Sequence, residues 1–343
     1  MSERKRRFAL RSVDLTRRLD IFLVCAVASV LGNRTFLIIT GYPQLGNGTL
    51  HISHAIWGAL MMMIALFVAI AYLPPKTRTF VAFLGGAGFG WFIDELGKFI
   101  TQKVNYFYQP TIALIYIVFI VIYLVSRNVE RRNFTADEAV LNGLETLKSA
   151  SLGELDETRR TAALELMQTS GATGKLADDI RDLLADVPAL PPSDPGRFGR
   201  AGAAIRTRYL ELGEKRGFVR TVNVIMITIA VGKVITALSL ALDRSGVHGF
   251  ADWASVISSL ISGGFIVVGC FELRRSHLRA YRWFDRGLLV EILVTQVFVF
   301  AKYQLEGIFG LAFTIILWLF VRSAMRAEQE RDTLAAIQAA PIP

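Results

Sequence analysis

The stretch HAIWGALMMMIALFVAIAYL, residues 54–73, contains no Asp, Glu, Lys or Arg. In a helix that rises about 1.5 Å per residue it is about 30 Å long, the thickness of the hydrocarbon core of a bilayer. Seven further windows are largely apolar and cover residues 20–40, 79–100, 109–126, 218–242, 253–271, 287–302 and 307–321. The sequence therefore predicts an all-α, polytopic integral membrane protein with about eight transmembrane helices. The last two windows are short and close together, so they are predicted to form a tight helical hairpin.

The overall composition excludes several other classes of protein. Of the 343 residues, 53% are hydrophobic and only 20% are charged, and the mean hydropathy is +0.43. Gathered into long windows, these apolar residues exclude a soluble globular enzyme. The two cysteines, Cys25 and Cys270, both lie inside such windows, which excludes a disulfide-rich secreted domain and a cysteine-rich zinc module.

The distribution of Lys and Arg predicts the orientation, because basic residues near span ends stay on the cytoplasmic side. If residues 1–19 are inside, the short inside segments hold seventeen Lys and Arg. The outside segments hold four, namely Lys98, Lys103, Arg244 and Lys302. Both termini are therefore predicted to be cytoplasmic, in a bacterial cytoplasmic membrane. The pI near 9.7 follows from this topology and gives no reason to expect nucleic-acid binding.

The predicted domains are a basic N-terminus (1–19), a four-span half (20–126), a cytoplasmic helical insert (127–217), a second four-span half (218–321) and a cytoplasmic tail (322–343). Two capping boxes in the insert, Thr135 with Glu138 and Ser151 with Glu154, predict helix starts. Apolar periodicity predicts three short amphipathic helices, which pack on the membrane domain or on a protein partner. A basic helix at 206–216 either contacts anionic lipid headgroups or anchors the next span.

Ionisable residues inside the predicted spans are functional candidates, because such groups are costly in hydrocarbon. In the first half they are Arg34, Asp94 and Glu95, with His51 and His54 at the outer edge of the second span. Two histidines three residues apart share one face if the helix begins at or before His51. Imidazoles and carboxylates are ligands for Zn, Mn or Fe.

Glycines are expected to bring these groups together. Gly86 and Gly90 form a small-residue motif in the span that ends at Asp94, and Gly58 lies four residues after His54. Small residues let helices approach closely, so the second and third spans are expected to pack tightly and to place His54 near Asp94. By helical rise, Arg34 lies at a similar depth.

Three interpretations of this cluster stay open. In the first, His51, His54, Asp94 and Glu95 bind a divalent metal that activates water, with Asp94 and Glu95 as catalytic carboxylates. In the second, the same side chains relay protons or cations in a transporter. In the third, Arg34 and Lys98 neutralise the two carboxylates and the histidines cap a helix.

The second four-span half contains fewer candidate functional residues. Lys233 and Glu291 are ionisable residues within its spans, and they are predicted to differ in depth by about 12 Å. With Asn223 and Gln296 they either line an aqueous path or make structural contacts between helices.

The segment 50–125 resembles a loose group of bacterial multi-pass membrane proteins of undefined activity. The resemblance rests on His51 and His54 at a span entry, and on a glycine-rich span with Gly86, Gly88 and Gly90 that ends in Asp94-Glu95. Members of the group often have adjacent histidines at this entry, whereas Ser53 precedes His54 here. The resemblance implies a polytopic membrane fold and no particular reaction.

Three function classes therefore stay open: a metal-supported hydrolase-like enzyme, a proton- or ion-coupled transporter of small solutes, and a membrane scaffold or sensor that acts through the insert. The expected partners are the lipid bilayer, with anionic headgroups at the basic cytoplasmic segments, and a protein partner at residues 127–217.

Overall fold

A computed structural model of the chain describes residues 10–41, 46–47, 50–51, 53–100, 110–191, 200, 204, 207–208, 211, 216–242 and 249–339. These residues are almost entirely helical. Besides short connecting segments, they include a ladder of two antiparallel two-residue strands, β1 (Gly46–Asn47) and β2 (Leu50–His51). The chain forms two compact units, Met1–Tyr106 with Val118–Asp194, and Phe107–Ile117 with Pro195–Pro343.

The helices of the first unit are, in chain order, α1 (Leu15–Thr40), α2 (His54–Ala71), α3 (Pro75–Asp94), α4 (Leu96–Ile100), α5 (Thr111–Glu130, whose first turns belong to the second unit), α6 (Ala136–Ser151), α7 (Glu157–Thr169) and α8 (Lys175–Asp186). The second unit contains α9 (Arg216–Leu242), α10 (Phe250–Glu272), α11 (His277–Val290), a π-helical turn (Glu291–Thr295), α12 (Gln296–Tyr303), a 3-10 turn (Gln304–Gly307) and α13 (Ile308–Ala339).

Several of these helices can cross a membrane. Within the described residues, five segments are long and apolar enough: Leu15–Thr40, His54–Ala71, Thr111–Glu130, Phe250–Glu272 and His277–Gln329. Helix α3 is not among them, because glycines and terminal charges lower its hydropathy. In helix α9 the described residues include a shorter apolar stretch, Arg220–Ile229. The described part of the chain is therefore predominantly helical, with the apolar helices of a membrane protein.

The packing of α2 is inside-out compared with that of a soluble protein. Its buried residues are the small Ala55, Gly58 and Ala65. Its large apolar side chains face outward, with Phe67 65% and Ile70 77% exposed. A soluble protein buries such side chains, so this surface fits a lipid environment.

Helices α6, α7 and α8 form a bundle with its own core, built around Met167, Ile180 and Leu184. These are the three amphipathic helices that the sequence predicts between the fourth and fifth spans. The capping box of Thr135 and Glu138 is confirmed, since each side chain accepts the other residue's backbone amide at the start of α6.

The second predicted capping box is wrong. Ser151 is the last residue of α6 and not the start of a helix. Gly153 follows with φ +65°, a left-handed conformation that ends helices and that glycine adopts without strain. Helix α7 begins later, where the side chain of Asp156 accepts the backbone amide of Arg159 at 2.8 Å. Most of the predicted basic helix at 206–216 lies outside the described residues.

The insert bundle is bound to the N-terminal segment through Arg11. Two guanidinium nitrogens of Arg11 donate to the two carboxylate oxygens of Glu138, at 2.8 and 2.9 Å. The same guanidinium donates to the carbonyls of Val129, Arg132 and Asn133. Such bidentate pairs are among the stronger hydrogen bonds in proteins, so this contact fixes the segment before α1 on the bundle.

Two further ion pairs join the insert bundle to the start of α3. Lys76 lies 2.6 Å from Glu154, and Arg78 lies 3.2 Å from Glu145. These pairs are exposed or half-exposed, so each contributes little to stability. They place the bundle at the end of α1 and α3 that is opposite to Arg34 and Asp94.

In the second unit the chain reverses at the 3-10 turn between α12 and α13. Gln304 has φ +48°, and the buried amide of Gln296 donates to the Gly307 carbonyl at 2.9 Å. Further along, the indole of Trp318 donates to Asp285 at 2.9 Å, which brings α13 back against α11. The tight hairpin that the sequence predicts is therefore present here.

Candidate functional site

The candidate site lies where the end of α1, the start of α2 and the end of α3 meet. Arg34 comes from α1, His54 is the first residue of α2, and Asp94 is the last residue of α3, followed by Glu95. The sequence predicts this convergence, and it is found.

Close packing of α2 on α3 positions His54. A Cβ placed on Gly58 would lie 2.6 Å from the Gly88 carbonyl oxygen, and one on Gly88 would lie 2.7 Å from the Gly58 carbonyl oxygen. The two backbones therefore touch, as small residues at a helix interface allow. The predicted close packing of α2 on α3 is confirmed, but the residue of α3 at the point of contact is Gly88.

The two glycines of the predicted motif, Gly86 and Gly90, contact α1 instead. A Cβ on Gly86 would overlap the backbone of Phe22, and a Cβ on Gly90 would overlap the backbone of Ala26. The prediction that Gly86 and Gly90 receive α2 is therefore wrong. These glycines lie on a different face of α3 from Gly88, and α3 is pressed between α1 and α2.

The carboxylate of Asp94 is fully buried, with no exposed surface. The Arg34 Nε atom donates to its Oδ1 atom, and the Asn33 amide donates to its Oδ2 atom at 2.8 Å. Arg34 also reaches the Asp94 carbonyl oxygen at 3.4 Å. Because a buried charge is stable only when it is paired and hydrogen-bonded, Arg34 and Asp94 act as one unit.

The second carboxylate, Glu95, is 2% exposed and lies just beyond the helix end. The sequence predicts a single helix as far as residue 100, but Glu95 interrupts it with φ −86° and ψ 7°. The Lys98 Nζ atom lies 2.8 Å from Glu95 Oε1. The interruption points Asp94 and Glu95 towards different basic partners.

The imidazole of His54 lies between the two carboxylates. Its Nδ1 atom is 3.0 Å from Glu95 Oε1, and its Nε2 atom is 3.4 Å from Asp94 Oδ2. Neutral imidazole has one N–H and one lone pair, so it can donate to only one carboxylate. Both contacts are favourable only when both ring nitrogens carry a proton. The geometry therefore fits an imidazolium.

His51 is not on the same helix as His54. It belongs to strand β2, and its side chain lies outside the described residues. Ser53 ends the extended segment, and its hydroxyl accepts the Ala55 amide at 3.1 Å as the N-cap of α2. The condition for a shared helix face, a helix that begins at or before His51, is therefore not met, because Ser53 caps the helix after His51.

The donor set does not favour a divalent metal. Both nitrogens of His54 face carboxylates, and Arg34, Asn33 and Lys98 contact those carboxylates. A cation would have to displace these groups and lie beside two positive charges. Among the described residues, no group of three or more His, Cys, Asp or Glu is arranged to hold a metal ion.

The predicted residues of the second half do not form a comparable cluster in the described residues. Glu291 opens the π-helical turn and is half-buried. The side chain of Lys233 lies outside the described residues, so its relation to Glu291 stays a prediction. Gln296 is buried against the Gly307 carbonyl, which is a structural contact.

Asn33 belongs to the site and was not predicted. Its position directly before an arginine inside an apolar window was the available signal. Ser53 also contributes, because it sets the start of α2 and hence the position of His54.

Comparisons of the chain with protein-family models, with curated proteins and with solved structures find no match. The resemblance to bacterial multi-pass membrane proteins therefore stays a prediction, and a function is inferred from the site alone.

Proposed function

We propose that the chain is a proton-coupled transport protein in which His54, Asp94 and Glu95 form a proton-binding relay. The observation that carries this proposal is the imidazole with one carboxylate at each ring nitrogen, at 3.0 and 3.4 Å. In hydrocarbon surroundings such ionisable groups commonly mark ion pathways.

The charges of the cluster support proton binding at His54. Two carboxylates face two basic side chains, Arg34 and Lys98, so the four charges cancel. A proton on His54 adds one positive charge, and it gains two carboxylate contacts. When the proton leaves, one ring nitrogen of His54 presents a lone pair to a carboxylate, and this contact becomes repulsive. The start of α2 then loses one of its contacts with the end of α3.

Exposure also favours His54 as the residue that exchanges the proton. Its side chain is 18% exposed, whereas those of Asp94 and Glu95 are 0% and 2% exposed. A proton therefore reaches the buried carboxylates by way of the imidazole. Histidine suits this task because its ordinary pKa lies near physiological pH.

The proposed topology has eight spans, formed by α1, α2, α3, α5, α9, α10, the α11–α12 segment and α13. Both termini and the insert bundle face the cytoplasm of a bacterial cell. The asymmetry of Lys and Arg supports this orientation. The relay then lies near the outer face, about 24 Å along α3 from Arg78.

The proposal is tested by proton flux in liposomes. Purified protein is reconstituted with a pH-sensitive dye inside, and a potassium diffusion potential drives proton entry. The wild type should acidify the lumen faster than empty liposomes, and His54→Gln and Asp94→Asn should each reduce the rate at least tenfold.

The matched control is His277→Gln, which removes an exposed histidine at the start of α11. It should leave the rate unchanged. A wild-type rate equal to that of empty liposomes, across a panel of added small solutes, would refute the transport proposal.

A second candidate is a sensor that acts through the insert bundle. The bidentate contact of Arg11 with Glu138 favours it, because this contact couples the bundle to the segment that leads into α1. If the bundle is the working part, Glu138→Gln should abolish the cellular phenotype while His54→Gln leaves it intact. The reverse pattern supports the relay.

A further inference from the structure

A groove of about 760 Å³ lies between the start of α1 and the end of α5, within the first unit. Ser12, Thr16 and Arg17 line its polar part, and Ile21, Val24 and Cys25 line its apolar part. Its volume is typical of ligand sites.

The polar and apolar parts follow one another along α1. Arg17 and Val24 are seven residues apart, which is about 10 Å along the helix axis. Both α1 and α5 are candidate membrane spans, so the polar part lies at the membrane surface and the apolar part lies deeper. A phospholipid has the same order of charged headgroup and apolar chain.

Apart from Arg17, the groove is lined by charged side chains that lie in ion pairs. Its two acidic residues, Asp20 and Glu130, are both paired with Arg127, at 3.0 and 2.6 Å. Arg17 is exposed and makes no ion pair with another described residue. Arg131 and Arg132 directly follow α5 and are exposed as well. Exposed arginines at a membrane surface attract anionic headgroups.

Arg11 also lines the groove, but its guanidinium already donates hydrogen bonds to Glu138 and to three backbone carbonyls. It therefore fixes the groove wall, and Arg17 remains available to a ligand.

We propose that this groove binds an anionic phospholipid. The phosphate is held by Arg17 with the hydroxyls of Ser12 and Thr16, and one acyl chain lies against Ile21, Val24 and Cys25. This site is separate from the relay, since Arg17 and Arg34 are about 25 Å apart along α1.

The test is native mass spectrometry of the full-length protein released from nanodiscs that contain equal amounts of phosphatidylglycerol and phosphatidylcholine with the same acyl chains. The wild type should retain phosphatidylglycerol in preference. Arg17→Gln should lower that retention about fivefold, the effect of one arginine near a charged surface. Val24→Trp should lower it by filling the apolar part.

Arg274→Gln is the matched control, because it removes an exposed arginine of the second unit. It should leave retention unchanged. In a second measurement, phosphatidylglycerol with a photoactivatable group on the acyl chain should label the peptide that contains Val24 and Cys25, which keeps the proposal testable if Val24→Trp does not fold.

Equal retention of the two lipids by the wild type would overturn the proposal, as would equal loss in Arg17→Gln and Arg274→Gln. Photolabel spread evenly over the apolar helices, or a second copy of the chain in place of the lipid, would also overturn it.

Discussion

The Nδ1 atom of His54 lies 3.0 Å from the Oε1 atom of Glu95, and the opposite ring nitrogen faces Asp94. This relationship joins the start of α2 to the end of α3 through a single imidazole. It depends on the close approach of the two helices at Gly58 and Gly88.

Asp94→Asn should destabilise the protein by about 3–5 kcal/mol, because it leaves the buried guanidinium of Arg34 without its carboxylate. Denaturant unfolding in mixed micelles measures the change. Asp20→Asn is the control, since its carboxylate is exposed and pairs with Arg127 at the surface, and it should cost less than about 1 kcal/mol.

The double variant Arg34→Gln with Asp94→Asn should recover part of that loss, because it removes both buried charges. Equal destabilisation by Asp94→Asn and Asp20→Asn would show that Arg34 and Asp94 do not form a buried ion pair.

Gly88→Ala should destabilise the protein by about 1–3 kcal/mol, because the added methyl group would overlap the Gly58 carbonyl and the backbone of α2. Gly85→Ala is the matched control on the same helix. Its Cβ would lie 3.8 Å from the Ala65 Cβ, an ordinary contact, and alanine is the better helix former. Thermal unfolding of both variants distinguishes them, and a stabilising Gly88→Ala would show that the helices do not touch there.

The attachment of the N-terminal segment to the insert bundle should weaken in acid. The Arg11 side chain, above all, lowers the pKa of Glu138 from its ordinary 4.5 to about 2. A carboxyl with a lowered pKa in the folded state contributes stability above its unfolded pKa, and this contribution is lost as the pH falls from about 4.5 towards 2. Hydrogen exchange of residues 10–14 against pH measures the loss.

Glu138→Gln should flatten this dependence between pH 4.5 and 2, whereas Glu165→Gln, an exposed carboxylate on α7, should not. Exchange that stays constant over the same pH range in the wild type would argue against the contact.

The purified protein should contain no stoichiometric Zn, Mn or Fe, because Arg34, Asn33 and Lys98 contact the available carboxylates. Elemental analysis by mass spectrometry after incubation with each metal measures this. Bound metal that disappears in both His54→Ala and Asp94→Asn would restore the metal hypothesis, with His51 as a further ligand.

The helical membrane class is predictable from the sequence, because soluble proteins rarely contain several apolar windows long enough to span a bilayer. Helical rise also places Arg34 and Asp94 at a similar depth, and the two side chains are in contact. By contrast, which glycine of α3 contacts which neighbouring helix depends on the rotation of α3 about its axis. The spacing of the glycines in the sequence does not determine that rotation. Gly86 and Gly90 share a face, but the face belongs to α1.

The error at His51 has a local cause. Two histidines at helical spacing suggest a shared face only when the helix includes both, and Ser53 caps α2 after the first one. The second capping box failed for a similar reason, since Gly153 ends α6 where the pattern suggested a start. A capping motif therefore predicts a helix boundary only when the residues around it also favour that boundary.

The proposed relay requires that His54 holds a proton between two carboxylates. Nitrogen-15 NMR of the protein labelled at histidine tests this requirement, with the His54→Gln variant to assign the signal. We predict that at pH 7.5 the His54 signal is that of an imidazolium with both nitrogens protonated, and that Asp94→Asn converts it to a neutral ring. A neutral His54 with a single tautomer at pH 7.5 in the wild type would contradict the proposed relay.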